Sequence, residues 1–215
     1  MKRLLGILLC VIFLTGTVSF SAAAFDDREH GVSFATPKEF FELTSQNSHD
    51  NQDLLDLIGY TEKSFDTYLE KSGIIYFALN QDNSKQIIIR CKESALSQNL
   101  DDLSDLGEEG IDSFAKKILP KGCKDYGVIK IGDTAYLQMT TNSTDSGGKF
   151  YTVQYFTVKN KNLYSIAFNY GGGKSEETES TTEEYMEGLT IDSSAPETYN
   201  DKHIFFIILV IIIIA

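Results

Sequence analysis

The chain has 215 residues, 19 Lys and Arg against 31 Asp and Glu, and a formal charge of −12 at pH 7. Excess acid on this scale argues against nucleic acid as a partner and against direct adhesion to anionic lipid, since both need clustered positive charge. Its length, less the two end segments described below, suits one domain with short linkers.

The N-terminus reads Met1-Lys2-Arg3, an apolar run from Leu4 to Leu14, a small-polar stretch, and Ala22-Ala23-Ala24. A basic start, a short apolar centre and an Ala-x-Ala site define a secretory signal peptide over residues 1–24, with the mature chain starting at Phe25. The run falls short of the roughly 20 apolar residues of a spanning helix. Because the segment holds Lys2 and Arg3 and no acid, its removal takes the charge from −12 to −14.

Elements follow in order. Val32-Ser33-Phe34-Ala35-Thr36-Pro37 alternates and stops at proline, as a short strand does. The aromatic pair Phe40-Phe41 is expected to pack under the entry to the domain, and Thr44 to Gln52 to form a loop. Leu54, Leu55, Leu57 and Ile58, then Phe65, Tyr68 and Leu69, predict two short helices or one broken at Gly59-Tyr60, with Thr61 or Ser64 as N-cap. Ile74 to Asn80 and Lys85 to Cys91 read as a hairpin, with Ile87, Ile89 and Cys91 on one face and Ile88 and Arg90 on the other.

The apolar stripe Leu100, Leu103, Leu106, Ile111, Phe114 and Ile118 predicts one helix closed by Pro120-Lys121-Gly122, with acids early and lysines late. Val128 to Ile131, Thr134 to Thr141, Phe150 to Val158 and Leu163 to Tyr170 predict a four-strand antiparallel meander, with Asn142 to Lys149 as a polar loop. Gly171-Gly172-Gly173 then leads into an acidic helix from Glu176 to Gly188, and Leu189-Thr190-Ile191 closes the domain. The fold class is α+β: an antiparallel meander flanked by helices over residues 25–192.

The remainder reads as a linker, 193–202, and a C-terminal transmembrane segment, 203–215. Ile204 to Ala215 carries no polar side chain, yet twelve residues span about 18 Å as a helix against a hydrocarbon core of about 30 Å. The segment is therefore expected to be an incomplete anchor. It would hold the domain on the extracytoplasmic side of the cell membrane as a single-pass protein.

The order of elements resembles the PsbP-like superfamily, named for an extrinsic subunit of photosystem II. The likeness is carried by the strand ending at Thr36-Pro37, the Ile74–Cys91 hairpin, the Leu100–Leu119 stripe, Val128-Ile-Lys-Ile-Gly132, Thr134-Ala-Tyr-Leu137, Tyr151-Thr-Val-Gln-Tyr-Phe-Thr-Val158 and Leu163-Tyr-Ser-Ile166. The resemblance spans roughly 31–191. It implies an α-β-α sandwich and a docking or accessory role, not catalysis, and it carries over no metal-binding residue.

Residues that could carry chemistry are few. His30, His49 and His203 stand beside no evident nucleophile, and no GxSxG, HExxH or Walker pattern occurs. Asp101-Asp102, Asp105 and Glu108-Glu109 are dense in carboxylate but lack the spacing of a calcium loop, so they read as a solvated helix face. Ala195-Pro-Glu-Thr-Tyr199 departs from a sortase site at both ends, and Asn142-Ser143-Thr144 fits an N-glycosylation acceptor. No cofactor is expected. Cys91 and Cys123 would survive export and leave two readings open, one disulfide or two separate core residues. By elimination the function falls to binding a protein or small ligand outside the cytoplasm. Tyr136, Tyr151, Tyr155 and Tyr164 of the meander are the candidate partner-binding residues. The alternative is the outer sensory or structural domain of a longer membrane protein.

Overall fold

The computed structural model describes residues 24–120, 123, 126–145 and 148–192. The signal segment before Ala24, the linker and the apolar C-terminal run lie outside the described residues. No described helix is long and apolar enough to cross a membrane.

The fold is α+β. A seven-stranded antiparallel sheet runs in the order β3-β4-β5-β9-β8-β7-β6. Its strands are β3 (Phe40–Glu42), β4 (Ile74–Asn80), β5 (Lys85–Glu93), β6 (Tyr126–Ile131), β7 (Thr134–Asp145), β8 (Gly148–Lys159) and β9 (Asn162–Gly171). The four-strand meander is thus present, and it joins the β4–β5 hairpin through β5 against β9, from Lys85↔Tyr170 to Glu93↔Asn162. A separate three-stranded sheet, β1-β2-β10, is made from Ala24–Asp27, Val32–Ala35 and Leu189–Ile191. It brings both ends of the described chain together over one face of the large sheet.

Side-chain alternation splits the core into two layers. On one face Ile87, Ile89, Tyr151, Val153, Tyr155, Tyr164, Ile166 and Phe168 pack under the small sheet and α4 (Glu176–Glu187), which contribute Val32, Phe34, Tyr185, Met186, Leu189 and Ile191. On the other face Leu137, Met139, Phe156 and Val158 pack under α3 (Glu108–Ile118). Beside them Phe77, Leu79, Ile88 and Ala167 pack under α1 (Gln52–Leu57) and α2 (Glu62–Ser72).

Local chemistry explains the boundaries. Thr61 caps α2 by accepting from the Ser64 N–H at 3.3 Å, and Ser64 Oγ in turn accepts from the Thr61 N–H at 2.9 Å. Gly73 ends α2 at φ +62° and turns the chain straight into β4; a Cβ there would stand 2.9 Å from the Cys91 carbonyl. The β8–β9 turn has Asn160 and Lys161 at φ +48° and +66°, the left-handed pair of a two-residue hairpin loop.

Three expectations need correction. The Leu100–Ile118 stripe is not one helix: Leu103–Asp105 is a short 3-10 turn, and α3 begins only at Glu108. Asp102 caps that turn, accepting from the Ser104 N–H at 2.8 Å, and its backbone bridges Lys159, so the chain is held extended there. The expected loop from Asn142 to Lys149 is strand at Asn142 to Asp145 and at Gly148 and Lys149: β7 and β8 continue through Asn142↔Tyr151 and Thr144↔Lys149. Backbone pairing does not need apolar side chains, and Asn142, Ser143, Thr144 and Lys149 are exposed. Finally, Phe40 is buried but Phe41 is 49% exposed, because both lie on strand β3 and point to opposite faces.

Candidate functional site

The four candidate tyrosines do not form a binding surface. Tyr151, Tyr155 and Tyr164 are 0% exposed and Tyr136 is 2% exposed. The reason is the second layer: the chain ends, as β1, β2 and β10, close with α4 over the face these rings occupy. The rings pack on one another edge to face, Tyr136 on Tyr155 and Tyr155 on Phe168, with centroids 6.1 Å apart in each case.

Their hydroxyls hold the layers together, a role no local pattern in the sequence reveals. A buried phenol needs a partner, and here the partner is usually on the covering layer. Tyr164 donates to the His30 carbonyl at 2.7 Å, which ties β9 to the β1–β2 turn. Tyr76 donates to Thr36 Oγ1 at 3.0 Å, just past β2. Tyr170 meets Thr182 Oγ1 at 2.7 Å and Tyr151 donates to Glu179 at 3.4 Å, both on α4. Tyr185 of α4 donates to Glu39. Tyr155 accepts from Gln138 Nε2 at 3.0 Å within the sheet. Burial pushes the phenols of Tyr136, Tyr151, Tyr155 and Tyr170 up to about 12, so they stay neutral at physiological pH.

Of the two readings left open for the cysteines, the structure has the separate one. Cys91 and Cys123 are free thiols. Cys91 packs in the tyrosine layer and Cys123 against the α3 layer, with the sheet between them. Burial pushes the Cys91 thiol up to about 12, well away from a nucleophile's range.

Other candidates are likewise placed. His30 Nδ1 lies 2.7 Å from Asp27 Oδ2 in the β1–β2 turn, and exposed His49 lies 3.2 Å from Asp50. The neighbouring Ser48 points inward, its Oγ 3.5 Å from Asp66. Asp102 is opposed by burial, yet the Lys159 ammonium and the Ser104 N–H hold its carboxyl below the usual range. Asp105 accepts from the Asp102 N–H at 3.1 Å. Among the described residues, no group of three or more His, Cys, Asp or Glu side chains is arranged to hold a metal ion. Asn142 to Thr144 is exposed on β7.

Two recesses stand out among the described residues. One, of about 280 Å³, lies where Gly171-Gly172-Gly173-Lys174-Ser175 enters α4. It has the outline of an anion cradle but the wrong charge. Glu176, Glu177 and Glu179 fill the first turn, Lys174 is paired to Glu179 at 2.7 Å, and Ser175 Oγ already accepts from the Thr178 N–H at 3.1 Å. The other, of about 390 Å³, lies at the open end of β4, floored by Leu43, Ile74, Ile75 and Phe77 and rimmed by Thr44, Asp66 and Glu70. A β-bulge between Ile74 and Tyr76 shapes it, and β3 stops opposite Ala78. Bulges leave no sequence signature, so nothing in the residue pattern announces this recess.

No protein-family model and no curated protein matches the chain. Solved structures similar to it include a crystal structure from Bacteroides thetaiotaomicron VPI-5482, at 14% identity and a TM-score of 0.50, over 82% of this chain and 50% of that one. They also include the solution structure of cyanobacterial PsbP from Synechocystis sp. PCC 6803, at 11% identity and a TM-score of 0.33, over 82% of this chain and 96% of that one. The first likeness is one of fold alone, and this chain spans half the length of that structure. The second superposes too loosely to bear on function.

Proposed function

We infer that this chain is an exported, membrane-tethered, non-catalytic domain that binds a protein or small ligand outside the cytoplasm. The observation that carries the reading is where the polar chemistry goes. The hydroxyls of Tyr76, Tyr151, Tyr164, Tyr170 and Tyr185 are spent on holding two layers together. The recess at the end of β4 offers apolar floor and carboxylate rim but no histidine or thiol. The signal-type N-terminus and the apolar C-terminal run supply export and tethering. In the second reading the domain is the outer part of a longer membrane protein. The Bacteroides structure, matched over half its length, is a longer chain that contains a similar fold.

Cell fractionation tests the proposal. The mature protein should begin at Phe25 and sediment with membranes, and deletion of residues 203–215 should release it to the extracytoplasmic soluble fraction. A cytosolic protein that retains Met1 would refute export. Reversal of the rim charge by Glu70→Lys should weaken partner capture from the extracytoplasmic side, and unchanged capture would remove the recess from consideration.

A further inference from the structure

We propose that the outer edge of β6 is a self-association surface, on which a second copy of this chain pairs β6 to β6 in antiparallel register centred on Val128. Among the described residues no strand pairs with β6 on the side away from β7. The β6–β7 loop is the two-residue Gly132-Asp133, so Ile131↔Thr134 is the hydrogen-bonded closing pair. Bonding to β7 therefore recurs at Ile129 and Gly127. The N–H and C=O groups of Tyr126, Val128 and Lys130 face outward. Val128 stands at the middle of this edge and is 48% exposed, one of three large apolar side chains so exposed among the described residues. The strand has six residues with no bulge and no proline, and only Lys130 as a deterrent to pairing.

The edge is complementary to itself. A two-fold axis normal to the sheet must place a residue opposite its own copy, since directly opposed side chains share a face. Centring on Val128 sets apolar against apolar, Tyr126 against Lys130 of the other copy, and Gly127 against Ile129. Centring on Lys130 would oppose two ammonium groups. In the Val128 register each Lys130 approaches the partner's Tyr126. In the chain itself, that hydroxyl donates to Asp112 Oδ1 at 2.7 Å. The Lys116 hydrogen bond first, and the Tyr126 hydrogen bond second, hold the Asp112 carboxyl below its ordinary range, so it is an anion for the incoming lysine. A foreign strand would need this same pattern; a second copy carries it by construction. A six-residue edge pair is small, so the association belongs to the weak, reversible class of interface.

The test uses the full chain in the membranes of expressing cells. In the Val128 register the two Cα atoms would be about 5.5 Å apart, within the span of a disulfide or a short bismaleimide. Val128→Cys should give a crosslinked band at twice the chain's mass, and Phe41→Cys, equally exposed at the other end of the sheet, should not. Val128→Pro removes only an outward N–H, so purified protein should keep its far-ultraviolet spectrum while its dimer dissociation constant rises at least tenfold. A folded Val128→Cys protein that stays monomeric under the crosslinker overturns the proposal. So does a crosslink to a chain of different mass, which would make the occupant a foreign strand, or equal crosslinking at Phe41→Cys.

Discussion

The two ends of the large sheet are finished in opposite ways. At one end β3 covers only Ala78 to Asn80 of β4, a bulge at Ile75 distorts the rest, and α2 packs alongside through Phe65, Leu69 and Tyr68. At the other end β6 is longer and regular, and among the described residues its outer side is unpaired, with Val128 exposed at its centre. An unpaired strand is a template for another strand, and shortening, bulging and covering are the usual ways to spoil it. This chain uses all three at β3–β4 and, at β6, only one lysine.

Substitutions can break or sharpen this contrast. The largest effect is expected at Phe65, which is fully buried and meets Phe77 edge to face at 5.4 Å. Phe65→Ala should cost about 4 kcal/mol in urea unfolding, because the cavity opens beneath the helix that shields the β4 edge. Next is Asp102→Asn, which tests whether β8 and the turn that supports the β6 half are clasped by the Asp102–Lys159 pair. The pair is mostly buried, and removing one charge should cost about 2 kcal/mol at pH 7. Asp102 has a lowered value in the fold, so its contribution is present above the ordinary carboxylate range and is lost as pH falls through the folded value. The variant and the native chain should therefore converge in acid.

Smaller effects follow at the two edges themselves. Tyr126→Phe removes the hydrogen bond to Asp112 and should lower the urea midpoint by less than Asp102→Asn does, since water can replace the lost partner. Glu42, on β3, behaves in the opposite sense to Asp102: burial raises its carboxyl, so its ionisation weakens the fold. Stability from this group is full below the ordinary carboxylate range and falls as pH rises through the raised value. Glu42→Gln should therefore raise the melting temperature slightly at neutral pH and leave it unchanged near pH ~3. A uniform gain at all pH values would mean that packing, not charge, is responsible.

Much of this architecture was legible, and the reasons differ by region. β4, β5, β8 and β9 follow from alternation because each packs one apolar face against a core. The helical stripe from Leu100 misled because the spacing of Leu100 and Leu103 also suits a capped turn pressed onto the same cluster as Phe114 and Ile118. The polar ribbon at Asn142 was unreadable because neither of its faces is buried. The tyrosines misled for a related reason. Their alternation fixed the face they share, but the cover over that face comes from the far ends of the chain, Ala24 to Ala35 and Leu189 to Ile191, which periodicity cannot place. The bulge at Ile75 and the exposure of Val128 depend on pairing register and on where the sheet stops, neither of which a local pattern encodes.

Amide hydrogen exchange on β6 as a function of protein concentration tests the contrast between the edges most directly. In dilute solution Gly127, Ile129 and Ile131 should be protected by β7, while Tyr126, Val128 and Lys130 exchange freely. Raising the concentration should slow Tyr126, Val128 and Lys130 and leave the amides of β3 and of Ile75 unchanged. Exchange at Val128 that is independent of concentration, or slowing that appears equally at Ile75, would contradict the account.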